Sequence, residues 1–372
     1  MTRNILGCLV KDLPAICPDQ CNAFTAYKEN EFIGAEFEVE GLNLPGPASV
    51  KYLWEAKPDG SLRPAPVTTG TEDNTPWEYV LKRPLSPEVF INRAFPHLLK
   101  TMDKAGAKPN MSGRCSVHIH VGVHELRLYQ VYAMVALYYI FEDLIEPLFG
   151  EGRVGNLFCL GVKECPVLID QMVHDAKNGG GCPSNNPNNK YTAVNLLTLS
   201  RIGTVEFRGM EGTLDPARIA TWVELLTRLR TYSLTLTPQS MSTLLNMMSL
   251  TGPAEIMDKI FLPGTSSHRL LNTHAAKKPG SLSKILYQGI GRVQSLFYEV
   301  DWSSVTHKGI EDFPAARGLK SKPKGLTLSE LMGAQPPTSF QQAGQNYMVQ
   351  GVAAEAMAVT VSDASFDDDE EV

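Results

Sequence analysis

Strict alternation of polar and apolar positions is the clearest signal in the chain. In "EFIGAEFEVEG" (31–41), Glu36, Glu38 and Glu40 alternate with Ala35, Phe37 and Val39. A two-residue period makes a strand with a carboxylate face and an apolar face. The same β-rich texture fills 31–85, through "VKYLWEAK", the turn "PDGSL" and "WEYVLKRPL". Asp59-Gly60 is a strong turn signal there. "CSVHIHVGV" (115–123) alternates again, and "YTAVNLLTLS" and "GTVEFRGM" read as a strand pair broken near 201–203.

Helical spacing fills most of the rest. Ser86 before Pro87 and Glu88 predicts an N-cap and a helix over about 87–105, stopping near Gly106. The stretch 124–149 is apolar nearly all round and predicts a central buried helix. Glu142 and Asp143 interrupt it before it could span a bilayer. Asp215-Pro216 opens a helix whose Ile219, Trp222, Val223, Leu226 and Leu229 share a face. Residues 237–300 read as helical, with loops near 252–253 and 262–280, and 178–190 reads as a flexible loop. The expected organisation is an irregular segment 1–30, a mixed strand-and-helix core 31–235, a helical part of the same domain 236–309 and an extended tail 310–372.

Composition narrows the functional classes. The net charge of −6 lies in the tail, where 363–371 carry six carboxylates, and the body balances. No basic stripe points to nucleic acid. The start, "MTRNILGCLV", is too weak for a signal peptide. Seven scattered cysteines do not form a secreted disulfide framework, so Cys17 and Cys21 are expected as free thiols in a reducing cytoplasm.

The chemistry sits on the polar faces of four strands. Glu36 and Glu38 share one, Glu78 and Lys82 another, His118 and His120 a third, Glu206 and Arg208 a fourth. Each face alone is compatible with a solvated strand, ordinary histidines or a cross-strand ion pair. Gathered in one sheet, they make a surface of carboxylates, imidazoles and a guanidinium. Such a surface suits divalent cations and a transferring phosphoryl group. There is no P-loop motif, no HExxH and no Ser-His-Asp arrangement.

The ordered pieces "GAEFEVEG", "WEAKPDGSL", "WEYVLKRPLSP", "CSVHIHVG", "KYTAVNLL" and "GTVEFRGMEGTLDPARIATWVELL" resemble the amidoligase family over about 31–235. This is a branch of the glutamine synthetase and glutamate–cysteine ligase superfamily, frequent in phages and bacteria. The resemblance implies an α+β fold in which a curved antiparallel sheet forms a catalytic trough, with helices on its outer side. It implies an ATP- and Mg²⁺ (or Mn²⁺)-dependent ligase that activates a carboxylate as an acyl phosphate and joins it to an amine. The substrates would be small molecules or peptides in the cytoplasm. Glu36, Glu38, Glu78, His118 and Glu206 would ligate metal. His118, His120, Lys190 and Arg208 would contact ATP, and Arg208, Glu211 and Glu38 would serve catalysis. Asp59 and Ser61 would orient substrate, Arg153 would meet substrate or phosphate, and Glu40 would lie at a solvated rim. The competing expectations are a non-catalytic assembly protein on the same scaffold and a phosphotransferase without an amine acceptor.

Overall fold

The computed structural model describes residues 4–25, 28–67, 70–150, 152–156, 159–180, 191–278, 280–308 and 312. Lys190, the stretch 181–190 and, apart from Asp312, the expected tail 310–372 lie outside the described residues. Among the described residues there are seven strands: β1 Ile33–Leu42, β2 Trp54–Lys57, β3 Trp77–Leu81, β4 Lys108–Asn110, β5 Ser116–Gly122, β6 Val194–Asn195 and β7 Thr204–Glu211. They form one open antiparallel sheet in the order β2-β3-β1-β5-β7-β6, with β4 pairing the end of β1. The architecture is α+β.

The apolar row of each strand is what fastens the helices to the sheet. Phe37 of β1 stacks on Phe95 at 5.1 Å and meets Trp54 edge-on at 5.6 Å. Phe207 of β7 lies 5.1 Å from Tyr138 and 6.4 Å from Trp222. Such ring pairs add about 0.5–1.5 kcal/mol each beyond their buried area. The polar rows therefore point the other way, all toward one face.

The all-apolar stretch forms the helix Leu128–Ile145, buried at every position and packed against the helices Pro216–Leu234 and Leu282–Tyr298. It starts later than the expected 124 because the Arg127 N–H donates to Gln130 Oε1 at 2.8 Å, a cap at that point. Ser86 caps the earlier helix as expected, accepting from the Val89 N–H at 3.2 Å. That helix is not uniform over 87–105. Pro96 has no N–H to give the carbonyl one turn back, and the chain widens into a π turn over Phe90–Ala94 before resuming as Phe95–Lys104.

Three further expectations are corrected. "YTAVNLLTLS" is a strand only at Val194–Asn195; the Asn195 side chain then accepts from the Leu197 N–H at 2.9 Å and starts the helix Leu197–Ile202. The expected loop 262–280 contains the helix Ser266–Lys277, capped by Thr265. Cys17 is free, but Cys21 is disulfide-bonded, so the free-thiol argument for a reducing compartment does not extend to it. Among the described residues no helix is long and apolar enough to cross a membrane.

The two acids of the central helix are buried and occupied. Asp143 pairs with Lys163 and Arg292, and both Glu142 oxygens accept from the Val162 N–H, at 3.0 and 3.1 Å. Burial drives the Glu142 carboxyl up to about 8. The folded state then holds a proton there that the unfolded chain releases above about 4.5. That contribution to stability is complete below about 4.5 and is lost as pH rises through about 8. Urea unfolding at pH 5 and pH 8.5 should show a fall in stability that Glu142→Gln largely removes. An identical pH dependence in the variant would contradict this assignment.

Candidate active site

Strand pairing brings the polar rows together. Glu36 of β1 stands opposite His118 of β5, and Glu38 stands opposite Glu78 of β3. His120 stands opposite Glu206 of β7, and Asn195 of β6 stands opposite Glu206 from the other side. Paired residues share a sheet face. Glu36, Glu38, Glu78, His118, His120, Glu206 and Arg208 thus occupy one surface. Lys82 departs from it, donating to the Lys51 carbonyl at an exposed position.

Two acidic groups result. In the first, His118 Nδ1 lies 3.2 Å from Glu36 Oε2 and 3.5 Å from Glu206 Oε1. One ligand atom from each of Glu36, His118 and Glu206 falls within 4.8 Å of the others. In the second, Glu38, Asp59 and Glu78 meet the same criterion. Ser116 joins the two, bonding Glu38 with its hydroxyl and lying 2.7 Å from His118 Nε2. Asn195 Nδ2–H donates to Glu206 Oε2 at 2.6 Å, and Arg208 pairs with Glu206 Oε1. Partners of this kind orient metal-ligating side chains. The donor set, carboxylates with one imidazole, fits Mg²⁺ or Mn²⁺.

The electrostatics of the groups differ. Burial opposes ionisation of Glu36, but the hydrogen bond with His118 and the close imidazole of His120 outweigh it and hold its carboxyl well below the usual range. His120 Nε2 lies 3.2 Å from Glu36 Oε1 but off the hydrogen-bond line, and its burial is likewise outweighed, so its pKa is raised. Burial of Glu206 is overcome by His120, Arg208 and His118, and its pKa falls. Glu78 goes the other way. Burial first, then Glu36, Glu38 and Asp59, push it up to about 7. Arg208 Nε is buried and has no hydrogen-bond partner among the described residues.

The remaining expected residues are placed as follows. Asp59 and Ser61 belong to the turn after β2. Asp59 stands with Glu38 and Glu78 as a carboxylate of the second group, and Ser61 gives its N–H to Asp59 Oδ1 at 2.7 Å. Glu40 is not at a solvated rim: it is 5% exposed and accepts from the Arg63 N–H at 2.7 Å. Arg153 is buried and donates from Nη2 to the Arg208 carbonyl at 2.8 Å, behind the strand that carries Arg208.

Glu211 reaches the site face through a bulge. Val117 pairs with Met210 and Ile119 with Phe207, so β7 has one residue more than β5 between them. The extra residue reverses the alternation and sets Glu211 opposite Ser116. A Cβ on Gly209, inside the bulge, would lie 2.5 Å from the Phe149 ring. Glu211 is also paired with Arg218 at 2.7 Å. Asn195 and Ser116 were missed in the sequence reading. Ser116 does carry a legible signal, since it shares the parity of His118 and His120. Asn195 carries a weak one, lying inside a stretch that reads as a longer strand.

Comparison with known families finds a match over part of the chain. Residues 85–230 match the family described as "Putative amidoligase enzyme", a span that includes His118, His120, Glu206, Arg208 and Glu211. Over that segment the chain is similar to the amidoligase family. The search of curated proteins finds no match.

A cation recruited by Glu78 must displace the proton that Glu78 partly holds near pH 7. Calorimetric Mn²⁺ titrations at pH 7, in buffers of different ionisation enthalpy, should therefore show proton release. Glu78→Gln should reduce it by about half a proton. Equal release by both proteins would refute the placement of Glu78 at a cation.

Proposed function

We propose that the protein is an ATP-dependent carboxylate–amine ligase, working on a glutamine-synthetase-like form of this open sheet. The observation that carries the reading is the placement of two acidic groups side by side on one sheet face, with Arg208 beside them. Glu36, His118 and Glu206 would hold one divalent cation, and Glu38, Asp59 and Glu78 another. Bound cations and ATP would supply neutralised phosphate oxygens and the phosphoryl group to be transferred.

The chain's own residues would do the rest. Arg208, held by Glu206 and by Arg153 at its carbonyl, would direct its guanidinium at charge developing on the phosphoryl group. His120 would keep Glu36 ionised and stand next to the phosphates, where the sequence reading also puts Lys190. A substrate carboxylate would attack the γ-phosphorus, releasing ADP and giving an acyl phosphate. The amine would then attack the acyl carbon, phosphate would leave, and an amide would remain. Glu211 is the carboxylate at the far end of the face, suited to take the amine proton once it parts from Arg218. Holding both substrates on one rigid sheet supplies the orientation such a reaction needs.

The test is incubation with ATP, Mg²⁺ and panels of amino acids and peptides, following ADP and product mass. Amine-dependent ADP release with an amide product is expected. A phosphorylated product formed without amine would mean a phosphotransferase instead, and absence of nucleotide binding with metal present would sink both. Arg208→Ala should lower turnover by roughly 10²–10³-fold, the usual loss for a transition-state donor. Its circular dichroism should be unchanged.

A further inference from the structure

The second acidic group is assembled from unequal parts. Glu38 and Glu78 are fixed by strand pairing, but Asp59 comes from a turn between strands. Its place therefore depends on what holds the turn. Inside it, the Ser61 N–H donates to Asp59 Oδ1 at 2.7 Å, and the Leu62 N–H reaches the Asp59 carbonyl at 3.3 Å. Leu62 is buried. Arg114 Nη1–H reaches the Ser61 carbonyl at 3.3 Å from an exposed position. The contact to the strand itself is Glu40 Oε1, which accepts from the Arg63 N–H at 2.7 Å.

Glu40 is an unusual residue for that task. It is a carboxylate, 5% exposed, and has no ion-pair partner among the described residues. Burying a carboxylate without a countercharge is costly, so its position needs a return. A charge-assisted bond to a backbone N–H is short and directional. It ties the far end of the turn to the same strand that carries Glu36 and Glu38.

We propose that Glu40 is a positioning residue: by clipping the Arg63 N–H it docks the 59–63 turn so that Asp59 completes the group with Glu38 and Glu78. The inference rests on the cation reading of that group. It assigns the third carboxylate of β1 to the binding site indirectly, through the turn and not through the metal.

The test is Mn²⁺ binding to the full chain, followed by calorimetry and by electron paramagnetic resonance of free Mn²⁺. Wild type is expected to show two classes of site, and Asp59→Asn identifies the one that contains Asp59. Glu40→Ala should weaken that class by about 10–100-fold, the usual effect of losing an outer-shell partner, and leave the other unchanged. Glu40→Gln should restore it, since the amide oxygen still accepts from the Arg63 N–H. Arg63→Pro, which removes the donor and leaves Glu40 in place, should give the same selective loss even if Glu40→Ala fails to fold. Two classes of unchanged affinity, loss in both classes alike, or a Gln variant as weak as Ala would overturn the inference alone. Wild type that binds no Mn²⁺ would overturn the cation reading and the inference with it.

Discussion

Like charge crowded on one sheet face is the constraint around which this molecule is arranged. Glu36, Glu38, Asp59, Glu78 and Glu206 lie within two adjoining groups, and in a partly buried setting their repulsion is far stronger than in water. Compensation is uneven. His118, His120 and Arg208 all face Glu36 or Glu206, so the β5–β7 side carries its own compensating partners. The β1–β3 side has Lys57, which lies opposite Glu78 but pairs with Glu55 at 3.2 Å. That side remains acidic, and a proton on Glu78 is the relief open to it when no cation is present.

The crowded face needs a rigid back. Phe37 and Phe207 lock the reverse of β1 and β7 onto aromatic rings from helices, and the buried Leu128–Ile145 helix carries that packing through the molecule. Side chains in such a core sit in fixed rotamers, and the strands above them cannot slip by one residue without exchanging core for site. Arg153 adds support at the strand end, bonding the backbone of the very residue whose guanidinium faces the site.

What was legible in the sequence was parity. Alternation put Glu36 with Glu38, His118 with His120 and Glu206 with Arg208, and Glu78 likewise, on the polar side of their own strands, because a strand obeys a two-residue period; that the four strands share one sheet was implied by the family resemblance. What was not legible lay where that period stops. Asp59 reaches Glu38 and Glu78 by the path of a turn, which no periodicity encodes. Glu40 continued the alternation and so read as one more polar rim residue, although its burial is decided by a turn that folds over it. The strand expected at "YTAVNLLTLS" failed after two residues because a local side-chain bond at Asn195 competes with the ladder. Pro96 marks the π turn, but its tolerance within a helix depends on packing that only the folded chain supplies.

The bulge in β7 has a consequence for how this strand tolerates change in length. Glu206 and Glu211 are an odd number of positions apart, yet both answer to even-numbered residues of β5, His120 and Ser116. The strand thus has two reading frames joined at Arg208–Gly209, and the joint is pinned where a side chain on Gly209 would strike Phe149. Removing one residue there would take out the bulge and let regular alternation carry both frames, with Met210 still answering Val117 and Glu211 still answering Ser116. A deletion at the joint would therefore keep the acid on the site face and the hydrophobe in the core, and what it would take away is the extra local twist that a bulge gives its strand.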